Sequence, residues 1–141
     1  MFLCLLWCIP LFSTPLVYDC FLFLNELTIL DIRLHEMDPV VDKFVIVEST
    51  ETFRGNPKPL CFLQNKEKFS QFLDKIIYVV VEEHFETSNP WDREIFQRNQ
   101  ILRGLTECQD EDVVIISDVD EVIRAEGVLT LVSTLSSDLH T

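Results

Sequence analysis

Asp118 and Asp120 are the residues whose type and spacing most directly imply chemistry. They close the run Val113-Val114-Ile115-Ile116-Ser117-Asp118-Val119-Asp120-Glu121, in which four apolar β-formers stop at three carboxylates within four residues. Crowded like charges raise the free energy unless a cation or a positive partner compensates. Two carboxylates two residues apart project similarly from an extended chain, so their oxygens can converge on one hard cation, Mg²⁺ or Mn²⁺, carrying a phosphorylated ligand. The plainer alternative is a strand-end Asp that caps the next helix or turn. Arg98 is the second candidate. Stepping 100° per residue along residues 91–105 puts Trp91, Ile95, Leu102 and Leu105 on one narrow stripe with Arg98 in its middle. A guanidinium on a buried face needs an anionic partner. It either faces the acidic strand end or a ligand phosphate, or it snorkels or pairs within the core.

These side chains need elements to hold them. The apolar run at 113–116 reads as a central parallel strand covered on both faces, and in an open α/β sheet ligands bind outside the carboxyl ends of such strands. Residues 17–24 read as a first strand, with Asn25 as N-cap and Glu26 in the first turn of a helix. Leu27, Leu30, Leu34 and Met37 recur at helical spacing, so the helix spans 26–37 and Asp38-Pro39 ends it. Residues 43–48 form a second strand, ending in Glu48. A loop follows at 49–59, with Gly55, two prolines and the bases Arg54 and Lys58. Next come a helix at 66–75 with Phe69, Phe72 and Leu73 inward, and a third buried strand at 76–81. A helix capped by Asn89-Pro90 runs over 91–105, and a last helix over 123–141. The predicted class is α/β with a mostly parallel sheet.

Composition bounds the function. A chain of 141 residues suits one domain, and 48% apolar content with eleven Phe argues for a folded core. A formal charge of −13, from 24 acids against 11 bases, makes nucleic acid a poor partner. The five cysteines, Cys4, Cys8, Cys20, Cys61 and Cys108, show no CxxC pair, so neither a zinc site nor a disulfide framework is indicated. Residues 1–17 are uncharged and mostly apolar, which reads as a signal-like or anchor segment on a membrane or secretory route ahead of a domain at 18–141. The alternative is a buried first element of a cytoplasmic protein.

Several strings resemble glycosyltransferase family 17, a family of N-acetylglucosaminyltransferases. They are Tyr18-Asp19-Cys20-Phe21, Phe23-Leu24-Asn25-Glu26-Leu27, Ile32-Arg33-Leu34, Val41-Asp42-Lys43-Phe44-Val45-Ile46-Val47-Glu48-Ser49, Thr52-Phe53-Arg54-Gly55-Asn56-Pro57-Lys58-Pro59-Leu60, Arg93-Glu94-Ile95-Phe96-Gln97-Arg98-Asn99 and Ile116-Ser117-Asp118-Val119-Asp120-Glu121. The resemblance implies a Rossmann-like GT-A nucleotide-sugar domain with Asp118-Val119-Asp120 as its DxD motif. It also implies transfer of GlcNAc from UDP-GlcNAc to a glycan acceptor, with Mn²⁺ or Mg²⁺ as cofactor. On this analogy Asp120 ligates the metal directly, Asp118 reaches the ribose or the metal, Asn25 and Glu48 meet the nucleoside, and Arg98 neutralises the carboxylates or a phosphate.

Two other classes compete. A haloacid-dehalogenase-like phosphatase also places Asp-x-Asp after an apolar strand, with the first Asp as nucleophile. It further needs a downstream Lys, and none follows Glu121. A catalytically inactive nucleotide-sugar-binding fragment is the other. After Glu121 the candidate general bases are Glu126, Asp138 and His140. None is expected to reach an acceptor hydroxyl, so the catalytic base stays unassigned and the chain reads as the donor-binding part of a transferase.

Overall fold

A computed structural model of the chain describes residues 14–138. Among them, the apolar β-branched runs become β1 (Val17–Leu22), β2 (Lys43–Ser49), β3 (Ile76–Val81) and β4 (Val113–Ile116). These strands form one parallel sheet in the order β3-β2-β1-β4. Parallel strands need long crossovers, and helices supply them. They are α1 (Leu27–Met37), α2 (Cys61–Asn65, running on as 3₁₀ over Lys66–Phe72) and α3 (Pro90–Asn99, running on as 3₁₀ over Gln100–Gly104), followed after β4 by α4 (Ala125–Asp138). Asn89 caps α3 as its sequence implies, its side-chain oxygen accepting from the Trp91 amide, with Pro90 in the first turn.

Strand alternation sorts the core into two faces. Phe21, Phe44, Ile46, Val113 and Ile115 meet Leu30, Leu34 and Met37 of α1, Phe62, Phe69 and Phe72 of the second crossover, and Val128 of α4. On the opposite face, Tyr18, Cys20, Val45, Val47, Val79 and Val81 meet Ile101 and the partly buried Phe96 and Leu105. Burial pushes the Cys20 thiol up to about 12, so it remains a neutral core group. From β1 the chain proceeds through α1 to β2 on one side, and it returns only later to place β4 on the other. The crevice between the carboxyl ends of β1 and β4 is therefore the topological switch point.

Several expectations change. β4 is an edge strand among the described residues, not a central one, and Val114 and Ile116 are exposed on the α3 face. A run that is apolar at every position carries no period to distinguish the two situations. The apolar stripe of the third helix points outward: Trp91, Ile95 and Leu102 are 70%, 57% and 71% exposed, while Arg93, Gln97 and Ile101 are buried. The turn from α-helix to 3₁₀ at Gln100 breaks a 100° projection, and the first part of α3 lies over a polar loop. Leu73 faces outward, and Val128 anchors α4. Val17 opens β1 as expected, and the Leu16 amide donates to Asp112 at 2.8 Å. The apolar segment's residues 1–13, together with His140, lie outside the described residues. No described helix is long and apolar enough to cross a membrane.

The second face depends on a close backbone approach. A Cβ on Gly104 would overlap the methyls of Val45, so the 3₁₀ turn rests directly on β2. Gly104→Ala is expected to cost about 1–3 kcal/mol through overpacking, read as a lower urea midpoint at unchanged slope. A midpoint at or above the parent's would show that the turn does not rest on Val45.

Candidate functional site

The site begins with an ion pair under the sheet's carboxyl end. Asp19 is the one acid within the apolar β1 run, and alternation turns it toward α1, where Arg33 shares the buried stripe with Leu30, Leu34 and Met37. Both side chains are fully buried. Arg33 Nε and Nη2 donate to the two Asp19 oxygens at 2.8 and 2.7 Å, and its guanidinium lies 4.4 Å from the centre of the Phe21 ring. The remaining donors leave the pair and hold the turn after β4. Nη1 donates to the backbone oxygens of Asp118, Val119 and Glu121 at 2.6, 3.1 and 3.3 Å, and Nη2 to Ser117 Oγ at 2.7 Å.

That turn fixes the carboxylates. β4 ends at Ile116, and in the turn that follows the Glu121 amide donates to the Asp118 carbonyl at 3.0 Å while Glu121 Oε2 accepts from the Asp118 amide at 3.0 Å. Glu121 thus caps its own turn. Val119 is buried in the α1 core, while Asp118 and Asp120 on either side of it line the cavity. Asp120 makes no hydrogen bond or ion pair with the described residues. Arg98 reaches across from α3, its Nη2 donating to Asp118 Oδ1 at 2.7 Å and to Glu94 Oε1 at 2.9 Å. The Asp118 hydrogen bond raises the Arg98 pKa further and keeps the guanidinium charged. So the helix phase differs from the sequence reading, but Arg98 does face the acidic strand end.

The cavity, of about 420 Å³, lies over the switch point. Leu22, Phe23, Leu24 and Glu26 border it from the end of β1, Phe53 from the loop after β2, Glu94, Gln97 and Arg98 from α3, and Asp118 to Asp120 from the turn. Phe53 is held from behind by a network absent from the sequence reading. Arg93 pairs with Glu51 at 3.0 Å and donates to the backbone oxygens of Phe53, Phe85 and Thr87 at 2.8, 3.2 and 2.8 Å. His84 meets the other Glu51 oxygen at 2.7 Å, and Gln97 donates to the Glu51 carbonyl. The guanidinium lies against Gly55, whose φ of +80° forms the tight turn and whose absent side chain leaves the space.

Glu48 has protein partners of its own, and Asn25 is not the cap of α1. Glu48 stands at the end of β2 but is fully buried, and its oxygens accept from Lys58 Nζ, the Cys61 and Phe62 amides and the Tyr78 hydroxyl. Any contact with a nucleoside would have to displace those donors. Burial and the Glu48 hydrogen bond push the Tyr78 pKa up, keeping it a donor. Asn25 is exposed and does not cap α1; Glu26 occupies the cap position and turns its carboxylate back onto the Leu24 and Asn25 amides. Glu126 lines a separate groove with Ile32, Glu36 and Arg124, away from the cavity.

Among the described residues no three His, Cys, Asp or Glu side chains converge to hold a metal ion. Asp118 and Asp120 offer hard oxygen donors on a water-accessible wall. That suits a hard divalent ion held by one or two carboxylates, with water and ligand phosphates completing its shell, rather than a cage built wholly of protein.

A family model described as glycosyltransferase family 17 matches residues 3–140. The chain is 34% identical over 116 residues to a human beta-1,4-mannosyl-glycoprotein 4-beta-N-acetylglucosaminyltransferase, covering 76% of this chain and 22% of that protein. The rat and mouse proteins of the same name are 34% and 33% identical over 116 residues, covering 76% of this chain and 21% of each relative. The chain thus spans about a fifth of the length of the curated relatives it matches. No solved structure matches it. The family match extends past both ends of the sheet and takes in every strand and helix that builds the cavity, and the chain belongs to glycosyltransferase family 17.

Proposed function

We propose that the cavity binds a nucleotide-sugar donor, UDP-GlcNAc, with its diphosphate at the Asp118-Val119-Asp120 turn and a divalent ion, Mn²⁺ or Mg²⁺, between the two. One observation supports this most strongly. Val119 is buried and Arg33 holds the turn's carbonyls, so two carboxylates face a cavity at the switch point of a parallel sheet, where α/β folds bind nucleotides. When bound, the ion supplies charge neutralisation at the diphosphate leaving group. Asp120, free of partners among the described residues, is its direct ligand. Asp118 contributes at the same wall or to the ribose. Phe53 presents an aromatic surface backed by Arg93, suited to a ring of the donor.

The reading assigns donor binding to these residues and no base to the cavity. Glu94 is engaged by Arg98, and Glu26 by two backbone amides. The glycan acceptor and the group that deprotonates it are not assigned to described side chains. Membership of the glycosyltransferase family removes the case for the phosphatase reading.

Asp120→Ala is expected to weaken Mn²⁺-dependent UDP binding at least about tenfold, within the range for perturbing a metal site, while the thermal melt stays near the parent's because Asp120 is exposed. Calorimetry with and without Mn²⁺ checks this, and unchanged affinity in the variant would remove Asp120 from the metal. As a separate proposal, the uncharged N-terminal segment directs the chain to a membrane or secretory route. Fused to a reporter, residues 1–17 should carry it out of the cytosol; a full-length cytosolic reporter would contradict that.

A further inference from the structure

Arg98 and the two aspartates are arranged as an exchange of partners rather than as a ready metal site. Asp118 already holds a cation at 2.7 Å, and the same guanidinium binds Glu94 at 2.9 Å. Among the described residues Asp120 stands free, Glu121 is folded back onto the Asp118 amide, and no third protein ligand converges. A divalent ion arriving alone meets one open carboxylate, one occupied carboxylate and a fixed positive charge beside them. A nucleoside diphosphate changes each of these conditions. Its oxygens complete the ion's shell, and its second phosphate gives Arg98 another anion to grip, freeing Asp118. Arg98 is also the one base lining the cavity among the described residues, so no other side chain there can perform the exchange.

We infer that Arg98 is a resident counter-cation that withholds Asp118 from a free divalent ion and releases it to the ion when a nucleoside diphosphate arrives. The inference rests on the donor-site reading and adds to it an order. The ion and the nucleotide bind as a coupled pair, and by linkage each raises the other's affinity by the same factor. Arg98 acts here as a positioning residue. Its signature is a pair of effects of opposite sign, since removing it helps the ion alone and harms the nucleotide alone. A residue needed only for folding would weaken both.

The test is calorimetric titration of the 141-residue chain with MnCl₂, with UDP, and with MnCl₂ at saturating UDP, repeated for Arg98→Gln and Arg98→Lys. In the parent, UDP should tighten Mn²⁺ binding by about tenfold or more, within the usual range of coupling between sites. In Arg98→Gln, Mn²⁺ alone should bind about tenfold tighter than in the parent, UDP alone should bind more weakly, and the coupling should fall by the same factor. Arg98→Lys, which keeps the charge, should stay close to the parent. Tighter Mn²⁺ binding in the Gln variant with retained coupling in the Lys variant supports the exchange. If the Gln variant binds Mn²⁺ no tighter than the parent while UDP still binds with Mn²⁺, the inference is overturned and the donor site stands. Equal Mn²⁺ affinity of the parent with and without UDP overturns it without any substitution. A folded parent that binds UDP under no condition overturns both readings.

Discussion

The buried pair of Arg33 and Asp19 is the interaction on which the rest of the site depends. Taking two charges out of water is costly, and the attraction between them compensates only when the remaining donors are also satisfied. Here the fork of Arg33 meets both Asp19 oxygens, and its spare donors close on three carbonyls and one hydroxyl of the turn after β4. β1 and the neighbouring α1 are therefore tied through one planar group to the Ser117–Glu121 turn, far away in sequence. Because that group sits beneath the turn and Val119 packs into the core, the aspartates flanking Val119 are left to the cavity side. The polarity of the motif follows from burial: an apolar centre holds the turn down and two acids stay wet.

The opposite wall follows the same logic with a different arginine. Arg93 is buried on α3, where it reaches Glu51 and the carbonyls of Phe53, Phe85 and Thr87 and so ties the loop after β2 to the loop after β3. In a chain of net charge −13, Lys58, Lys75, Arg93 and Arg103 are likewise committed to acids, Glu48, Asp38, Glu51 and Glu83. The cavity keeps Arg98 against Glu26, Glu94, Asp118 and Asp120. That imbalance favours cationic help for any phosphorylated ligand.

Much of this was legible before the structure. β-branched runs located the four strands, Asn89-Pro90 located the start of α3, and the crowding of Asp118 and Asp120 at a strand end located the cavity wall. What sequence reasoning missed has physical causes. The run Val113 to Ile116 has no polar alternation, so its exposed edge position was hidden. Glu48 resembles any strand-end acid until its four donors are seen. The Arg98 stripe assumed one continuous α-helix over a segment that tightens to 3₁₀. The Arg33 pair, by contrast, left a usable signal. An isolated Asp in an apolar strand, and an Arg three residues after Leu30 and four before Met37 on the buried stripe of the next helix, each require a partner, and together they supply it.

The central claim is that Arg33 acts on the site by shaping the turn and not merely by stabilising the fold. The double variant Asp19→Leu and Arg33→Met tests it most directly, since swapping a buried ion pair for apolar groups of similar volume is often neutral or stabilising by about 1–4 kcal/mol. Mn²⁺-dependent UDP binding, measured by calorimetry on the double variant with its unfolding midpoint as control, is expected to fall at least about tenfold while the chain stays cooperatively folded, as for loss of residues that orient metal ligands. A folded double variant that binds UDP and Mn²⁺ as the parent does would contradict the account.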